Sequence, residues 1–303
     1  MSAAPPLWDP HVLERVGHLR MLAGRVVDGV VHGAHLSTHL GANVEFADYK
    51  EYSPGDTLRH IDWRVFARSD RLVVKRFRLE SEMPVVVVLD ASGDMSTGDS
   101  AAPRPPLEGN KYGYAVTLAA SLLFFLFRQG EPIGLKIVGG EGVEQRWFPP
   151  RHGRQHLAQL FGALAQVKPG GVGGLGEAFE ELAGTRGRRT VAVVVSDFME
   201  PVEGWRDQLT ALTSRRHELI ALHVMDEAEL TLEGFAPSLL FSPEGGTRLE
   251  VDPEVVRPEF LEEVRRWRRE VREAAATGRG RYLPAEIGDN MTALLMRLIG
   301  GGA

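Results

Sequence analysis

The stretch "VVVVLDASGDM", Val85 to Met95, decides the fold. Four valines and a leucine follow one another with no polar residue between them, so both faces of the segment must be covered. That is how a strand inside a parallel sheet reads, not one half-exposed on an antiparallel sheet. The run ends in Asp90, and Ser92 and Asp94 follow at alternate positions. A buried strand thus delivers oxygen-bearing side chains to its end. Such oxygens hold a metal, do chemistry, or cap the backbone N–H groups of the next turn.

The same pattern returns downstream. "PIGLKIV" (132–138), "TVAVVVSD" (190–197) and "ELIALHVMD" (218–226) are short and mostly apolar, and helix-length segments at 110–129, 154–167, 175–184 and 204–214 separate them. "EQRWF" (144–148) reads as an extra strand after a tight "GGEG" turn at 139–142. In the tail, Phe260, Val264, Trp267, Val271 and Ala275 form a helical stripe, "RGRYLPA" (279–285) a last strand, and "GDNMTALLMRLIG" (288–300) a closing helix capped by Asp289 or Asn290. Alternation of strands and helices predicts an α/β fold, a doubly wound, mostly parallel sheet with right-handed crossovers. Ligands of such sheets sit outside the carboxyl ends of the strands. Asp90 and Asp197 end two of these strands, so the fold is expected to bring them together.

Composition narrows the function. The 303 residues are 43% hydrophobic and 25% charged, an ordinary globular balance with enough apolar material for a normal core. There is no cysteine, which excludes disulfides, thiolate zinc sites and a cysteine nucleophile and fits a reducing, cytoplasmic setting. A net charge of −6 argues against general affinity for nucleic acid or anionic membranes. The N-terminus carries no signal-peptide pattern. "YGYAVTLAASLLFFLF", Tyr112 to Phe127, is 16 uncharged residues, short of the roughly 20 that span a bilayer, and reads as a helix buried on most faces of an α/β domain. Arginines in the tail helix are interleaved with glutamates, as on a solvated face.

Residues 1–83 differ in character and are expected to form an N-terminal segment packed on an α/β domain at 84–303. A helix is predicted from about Pro10 to Val30, a turn at "SPGD" (53–56), a short helix over "TLRHIDWRVFAR" (57–68) and a half-exposed strand at "LVVKRFRLE" (72–80). Residues 56–80 hold seven Lys/Arg against four Asp/Glu, a basic patch in an acidic chain. A nucleic-acid role for it lacks an aromatic stacking platform. His35 and His39 share helical spacing, but the surrounding glycines argue against a regular helix and a metal pair there. "GDSAAPRPPLEG" (98–109) is a Pro-rich loop, and "GGVGGLG" (170–176) reads as a flexible one.

The block "EFADYKEYSPGDTLRHIDWRVFARSDRLVVKRFRLE" followed by "VVVVLDASGDM" resembles the bacterial domain-of-unknown-function 58 proteins, whose signature precedes a von Willebrand factor A-like domain. Glu45, Phe46, Tyr52, Pro54, Gly55, Asp56, Arg59, Ile61, Asp62, Trp63, Ala67 and Arg68 carry the signature here. The resemblance implies a non-enzymatic, protein-binding adaptor that partners a MoxR-type AAA+ ATPase in protein maturation or remodelling. Glu45, Tyr52, Asp56, Arg59, Asp62, Trp63 and Arg68 then either lock the segment onto the sheet domain or meet the partner directly.

A-type domains also imply a Mg²⁺ site built from a D-x-S-x-S motif, a later Thr and a second Asp. Asp90, Ser92, Asp94 and Asp197 are the corresponding ligands, with Mg²⁺ or Ca²⁺ as the ion. Asp94 replaces a serine, and the Thr position falls on Gly173 or Gly174. Three carboxylates around a divalent ion weaken its pull on a partner's carboxylate. Two other readings stand beside this one: Asp90 and Asp197 as caps of neighbouring turns, and a Mg-dependent hydrolase using Asp90, Asp94 and Asp197. Against the hydrolase, no phosphate-cradling G-x-x-x-x-G-K-[ST] and no G-x-G-x-x-G opening a helix after a strand accompany the aspartates; "GGVGGLG" precedes a helix but has no strand before it and no Lys.

Overall fold

The computed structural model describes residues 10–34, 44–51, 65, 68, 73–79, 83–97, 110–144, 146–185, 189–215, 217–232, 238–241, 248–276 and 280–299. By its contacts the chain divides into two compact units, residues 33–82 and residues 1–32 with 83–303.

In the larger unit, the apolar runs become the strands of a six-stranded sheet. They are β3 (Val85–Ala91), β4 (Ile133–Gly139), β5 (Trp147–Arg151), β6 (Val191–Ser196), β7 (Glu218–Met225) and β10 (Arg281–Glu286). Their order is β10-β7-β6-β3-β4-β5, and all neighbours are parallel except β4 and β5. The expected doubly wound sheet is therefore present. Strand β5 starts at Trp147, later than 144–148 suggested. It contains Pro149 and Pro150, which an antiparallel edge strand tolerates because one of its sides needs no N–H donor.

Successive residues of β3 feed opposite faces. Val85, Val87 and Leu89 enter one core cluster, Val86 and Val88 the other. The first face is covered by α1 (Pro10–Ala34), α2 (Lys111–Gln129), α3 (Arg154–Gln166) and α8 (Met291–Ile299). The second is covered by α4 (Leu175–Gly184), α5 (Arg206–Ser214) and α7 (Pro253–Ala275). Covering on both sides is what makes an all-apolar strand favourable.

Helix α1 was grouped by its sequence with the N-terminal segment. Its stripe Val12, Leu19, Ala23, Val27 and Val30 instead lies in the first core cluster of the larger unit. Gly29 lets Thr292 of α8 approach, since a Cβ there would stand 3.0 Å from its Oγ1, and Thr292 Oγ1 donates to Val26 O at 3.4 Å.

Helix α2 is buried on nearly every face, as its composition required. Asn110 caps it by accepting from Gly113 N at 2.8 Å. Gly130, at φ +84°, closes it with its N–H shared between Leu126 O and Phe127 O. Among the described residues no helix is long and apolar enough to cross a membrane. Helix α7 begins at Pro253, two turns ahead of the stripe that opens at Phe260, because Asp252 caps it by accepting from Glu254 N. A short helix, α6 (Glu227–Thr231), and a hairpin of β8 (Ser238–Phe241) and β9 (Arg248–Val251) carry no apolar periodicity long enough to read from sequence.

In the smaller unit, β1 (Val44–Glu51) pairs antiparallel with β2 (Val73–Leu79), the strand expected at 72–80. Glu45 stands opposite Arg78, and the register shifts between Phe46 and Asp48. Val65 and Arg68 are helical, within the predicted short helix. The rest of that helix, the "SPGD" turn, His35, His39 and the Pro-rich loop 98–109 lie outside the described residues.

Candidate functional site

Strands β3 and β6 run side by side in register from Val85–Val191 to Leu89–Val195, which sets Asp90 level with Ser196. Beyond this edge α2 goes to one face of the sheet and α5 to the other. The strand order reverses here, so a crevice opens at the carboxyl ends. Asp90, Asp197, Lys111 and Glu229 converge on it.

Asp90 is 2% exposed. Its Oδ1 accepts from Ser92 N at 2.9 Å and its Oδ2 from the Ser196 hydroxyl at 2.5 Å. Ser196 Oγ in turn accepts from Phe198 N at 2.8 Å. Phe198 adopts φ +53°, an uncommon backbone for a residue with a Cβ, and its ring packs against Trp205 and His223. Burial, helped by the neighbouring Asp197 charge, pushes the Asp90 carboxyl up to about 7.

Asp197 lies just past β6. Its Oδ1 accepts from Met199 N at 3.2 Å, and its Oδ2 stands 2.8 Å from Lys111 Nζ. Lys111 is the first residue of α2 and is 1% exposed. Its ammonium also lies 2.8 Å from Glu229 Oε2 on α6. Burial alone lowers a lysine, but the two carboxylates outweigh it and hold Lys111 above its ordinary value, so it stays charged. Asp94, half-buried in a 3₁₀ turn at Gly93–Ser96, is shifted upward by burial and then by the Asp197 charge. Next to this edge, His223 sits among the rings of Phe198, Trp267 and Tyr282, with Nδ1 2.8 Å from the Tyr282 hydroxyl. Burial lowers it to about 3, so it is neutral.

The glycine-rich segment is tied down at this edge rather than loose. Gly170 N donates to Ala91 O and Gly93 N to Gly171 O, both at 2.9 Å. At the expected Thr position a different device appears. Glu200 Oε1 accepts from Gly174 N and, at 3.1 Å, from Leu175 N, placing a carboxylate on the N-terminus of α4. A Cβ on Gly173 would come within 1.9 Å of that oxygen. Gly139, at φ +63°, closes the other side, where a Cβ would stand 2.8 Å from Ser92 N.

These residues do not fit a divalent ion. Both oxygens of Asp90 accept protein hydrogen bonds, and Asp197 is occupied by Met199 N–H and the Lys111 ammonium. The positive charge of the crevice thus comes from a side chain. Among the described residues no three His, Asp or Glu side chains cluster closely enough to hold an ion by themselves. Of the sequence-predicted ligands, Asp90, Ser92 and Asp197 share one hydrogen-bonded edge, and Asp94 adjoins it through its charge. Glu45 is on β1 and Arg68 is exposed. Tyr52, Asp56, Arg59, Asp62 and Trp63 lie outside the described residues. Sequence reasoning missed Lys111, Ser196, Glu200 and Glu229. For Lys111 a signal existed: it is the charge that opens a long uncharged helix, an odd place for a lysine unless something pairs with it.

The family model described as "Protein of unknown function DUF58" matches residues 48–270. The uncharacterized protein Rv1480 of Mycobacterium tuberculosis is 30% identical over 257 residues, covering 83% of this chain and 77% of its own. The uncharacterized protein YeaD of Bacillus subtilis is 24% identical over 138 residues, 46% of this chain and 30% of its own. Among solved structures, the conserved hypothetical protein BatB of Bacteroides thetaiotaomicron aligns with a TM-score of 0.44 at 16% identity, over 72% of this chain and 98% of its own. An aerotolerance-related membrane protein of Bacteroides fragilis aligns with a TM-score of 0.41 at 16% identity, over 73% and 100%.

Proposed function

The chain belongs to the DUF58 family of proteins of unknown function, and from that premise we propose that it is a cytoplasmic, non-enzymatic adaptor that binds other proteins. Its partner in this reading is a MoxR-type AAA+ ATPase, and its task the maturation or remodelling of protein clients. The observation that carries the proposal is the saturation of the switch-point crevice. Asp90 is consumed by Ser92 and Ser196, and Lys111 by Asp197 and Glu229. Catalysis needs a base or nucleophile open to substrate and a charge stabiliser not already paired. A satisfied, buried network instead rigidifies the loops around it, which suits a surface that docks a partner. The strand order and the Asp-x-Ser stretch ending β3 support a von Willebrand factor A-like identity for the sheet. The ATPase partner rests on the signature residues from Glu45 to Arg68, and the compartment on the absence of cysteine.

The test is association of the purified chain with the MoxR-type ATPase encoded in the same genome, followed by sedimentation with ATP, with ADP, and with EDTA in place of Mg²⁺. The expected result is a complex whose dependence on conditions lies in the nucleotide alone. Absence of a complex in every condition overturns the reading. Divalent-dependent hydrolysis of a phosphate or ester substrate, lost in Asp90→Ala, establishes the hydrolase instead.

A further inference from the structure

Beside Lys111, the ends of β6 and β7 and one side of α7 enclose a cavity of about 240 Å³. Met199, Met225, Leu230, Phe260, Val264 and Trp267 give it apolar walls. Its ionisable lining is Lys111 with Asp197, Asp226, Glu229 and Glu263. Lys111 is already engaged by two of these carboxylates, and Glu263 pairs with Arg266 at the exposed rim. Asp197, Glu229 and Glu263 outnumber Lys111 and Arg266 by one charge, so the cavity is negative without counting Asp226. Pockets for drug-sized ligands run to roughly 300–1,000 Å³, so this one suits a single long side chain better than a cofactor. Apolar walls with a negative excess are complementary to an aliphatic stem ending in a cation. Trp267 is fixed by its Nε1–H donating to Phe198 O at 3.1 Å, and an indole lining the cavity adds an attraction for a cation that reaches its ring. Met199, half exposed at the mouth, and Met225 adapt to the shape of a guest.

We propose that this cavity receives one lysine or arginine side chain of a partner polypeptide. The proposal rests on the adaptor reading and deepens it. A metal-bearing crevice recruits a partner's carboxylate. Here the cation is built in and spent, and the polarity of recognition is reversed.

The test uses the whole chain with ¹³C-methyl methionine and ¹⁵N-indole labels. The probes are N-acetyl-arginine amide and N-acetyl-lysine amide, with N-acetyl-norleucine amide as the uncharged stem and N-acetyl-glutamate amide as the opposite charge. The cationic probes are expected to shift the Met199 and Met225 methyls and the Trp267 indole saturably, in the millimolar range. They should bind at least about tenfold more tightly than norleucine. Glu263→Lys, a change on an exposed helix face that leaves the core intact, should abolish the response. Equal response to norleucine, preference for glutamate, silence toward every probe, or an unchanged response in Glu263→Lys each overturn the proposal. The titration contains no partner protein, so its outcome is independent of whether the ATPase complex forms.

Discussion

Lys111 Nζ lies 2.8 Å from Asp197 Oδ2, an ion pair buried at both ends and drawn from residues 86 apart in the chain. It joins the start of α2 to the end of β6 across the switch point. Removing one member strands a charge in a largely desolvated place. Lys111→Met is expected to destabilise the protein by about 3–5 kcal/mol, read from denaturant unfolding. The double change Lys111→Met, Asp197→Leu should recover much of the loss, because it leaves no lone carboxylate at that position. A double mutant as unstable as the sum of its singles would show that the two side chains act independently.

Metal should be immaterial to the fold. An ion bound to the native state at 100 times its dissociation constant adds about 2.7 kcal/mol. With Lys111 in place, unfolding midpoints are expected to coincide in EDTA, in excess Mg²⁺ and in excess Ca²⁺. A midpoint raised by either ion, with the rise lost in Asp197→Asn, would show that the aspartates coordinate it.

Two buried groups give opposite pH dependences. Asp90 is raised in the folded state to about 7, so the fold binds its proton more tightly than the unfolded chain does. Its stabilising effect is complete below the ordinary carboxylate range and is lost as pH rises toward 7. His223 is lowered to about 3, so its effect is complete above the ordinary histidine value and is lost as pH falls toward 3. Between roughly pH 4 and 6.5 the two slopes oppose each other. Asp90→Asn is expected to steepen the loss of stability toward acid, and His223→Phe to reverse the slope. Chemical denaturation across that range measures both; parallel curves for wild type and variants would refute the assignment.

Gly173→Thr restores the residue type that a metal-bearing A-type domain would carry. Its Cβ must displace Glu200 from the α4 N-terminus. A loss of about 1–2 kcal/mol is expected, the size of a helix cap. In a Glu200→Ala background the cap is already gone and space is free, so the same substitution should cost clearly less. Additive losses would mean that Glu200 is not the obstacle.

The sheet was legible in the sequence because its strands are buried on both faces and therefore uninterrupted by polar residues. Asp90 and Asp197 were legible for the same reason: each breaks such a run at its end. Helix α2 could be read as buried because its charges are confined to its ends. What the sequence hid were partners. The partners of Lys111 stay hidden because Asp197 and Glu229 are far away in the chain, and Glu229 rides on α6, only five residues long. Ser196 carries no signal of its own in "VVVSDF", yet register makes it the direct neighbour of Asp90. Strand β1 was missed since "VEFADYKE" has a single period-two pair before its bulge, too little alternation to stand out from a loop.

The contact between α1 and α8 has a consequence for the order of events during synthesis. Thr292 reaches back to Val26 across 266 positions. A chain made N-terminus first therefore holds Val26 and Gly29 of α1 without this neighbour until α8 is made. Until then the Gly29 side of α1 lacks that cover and is a stretch open to premature association.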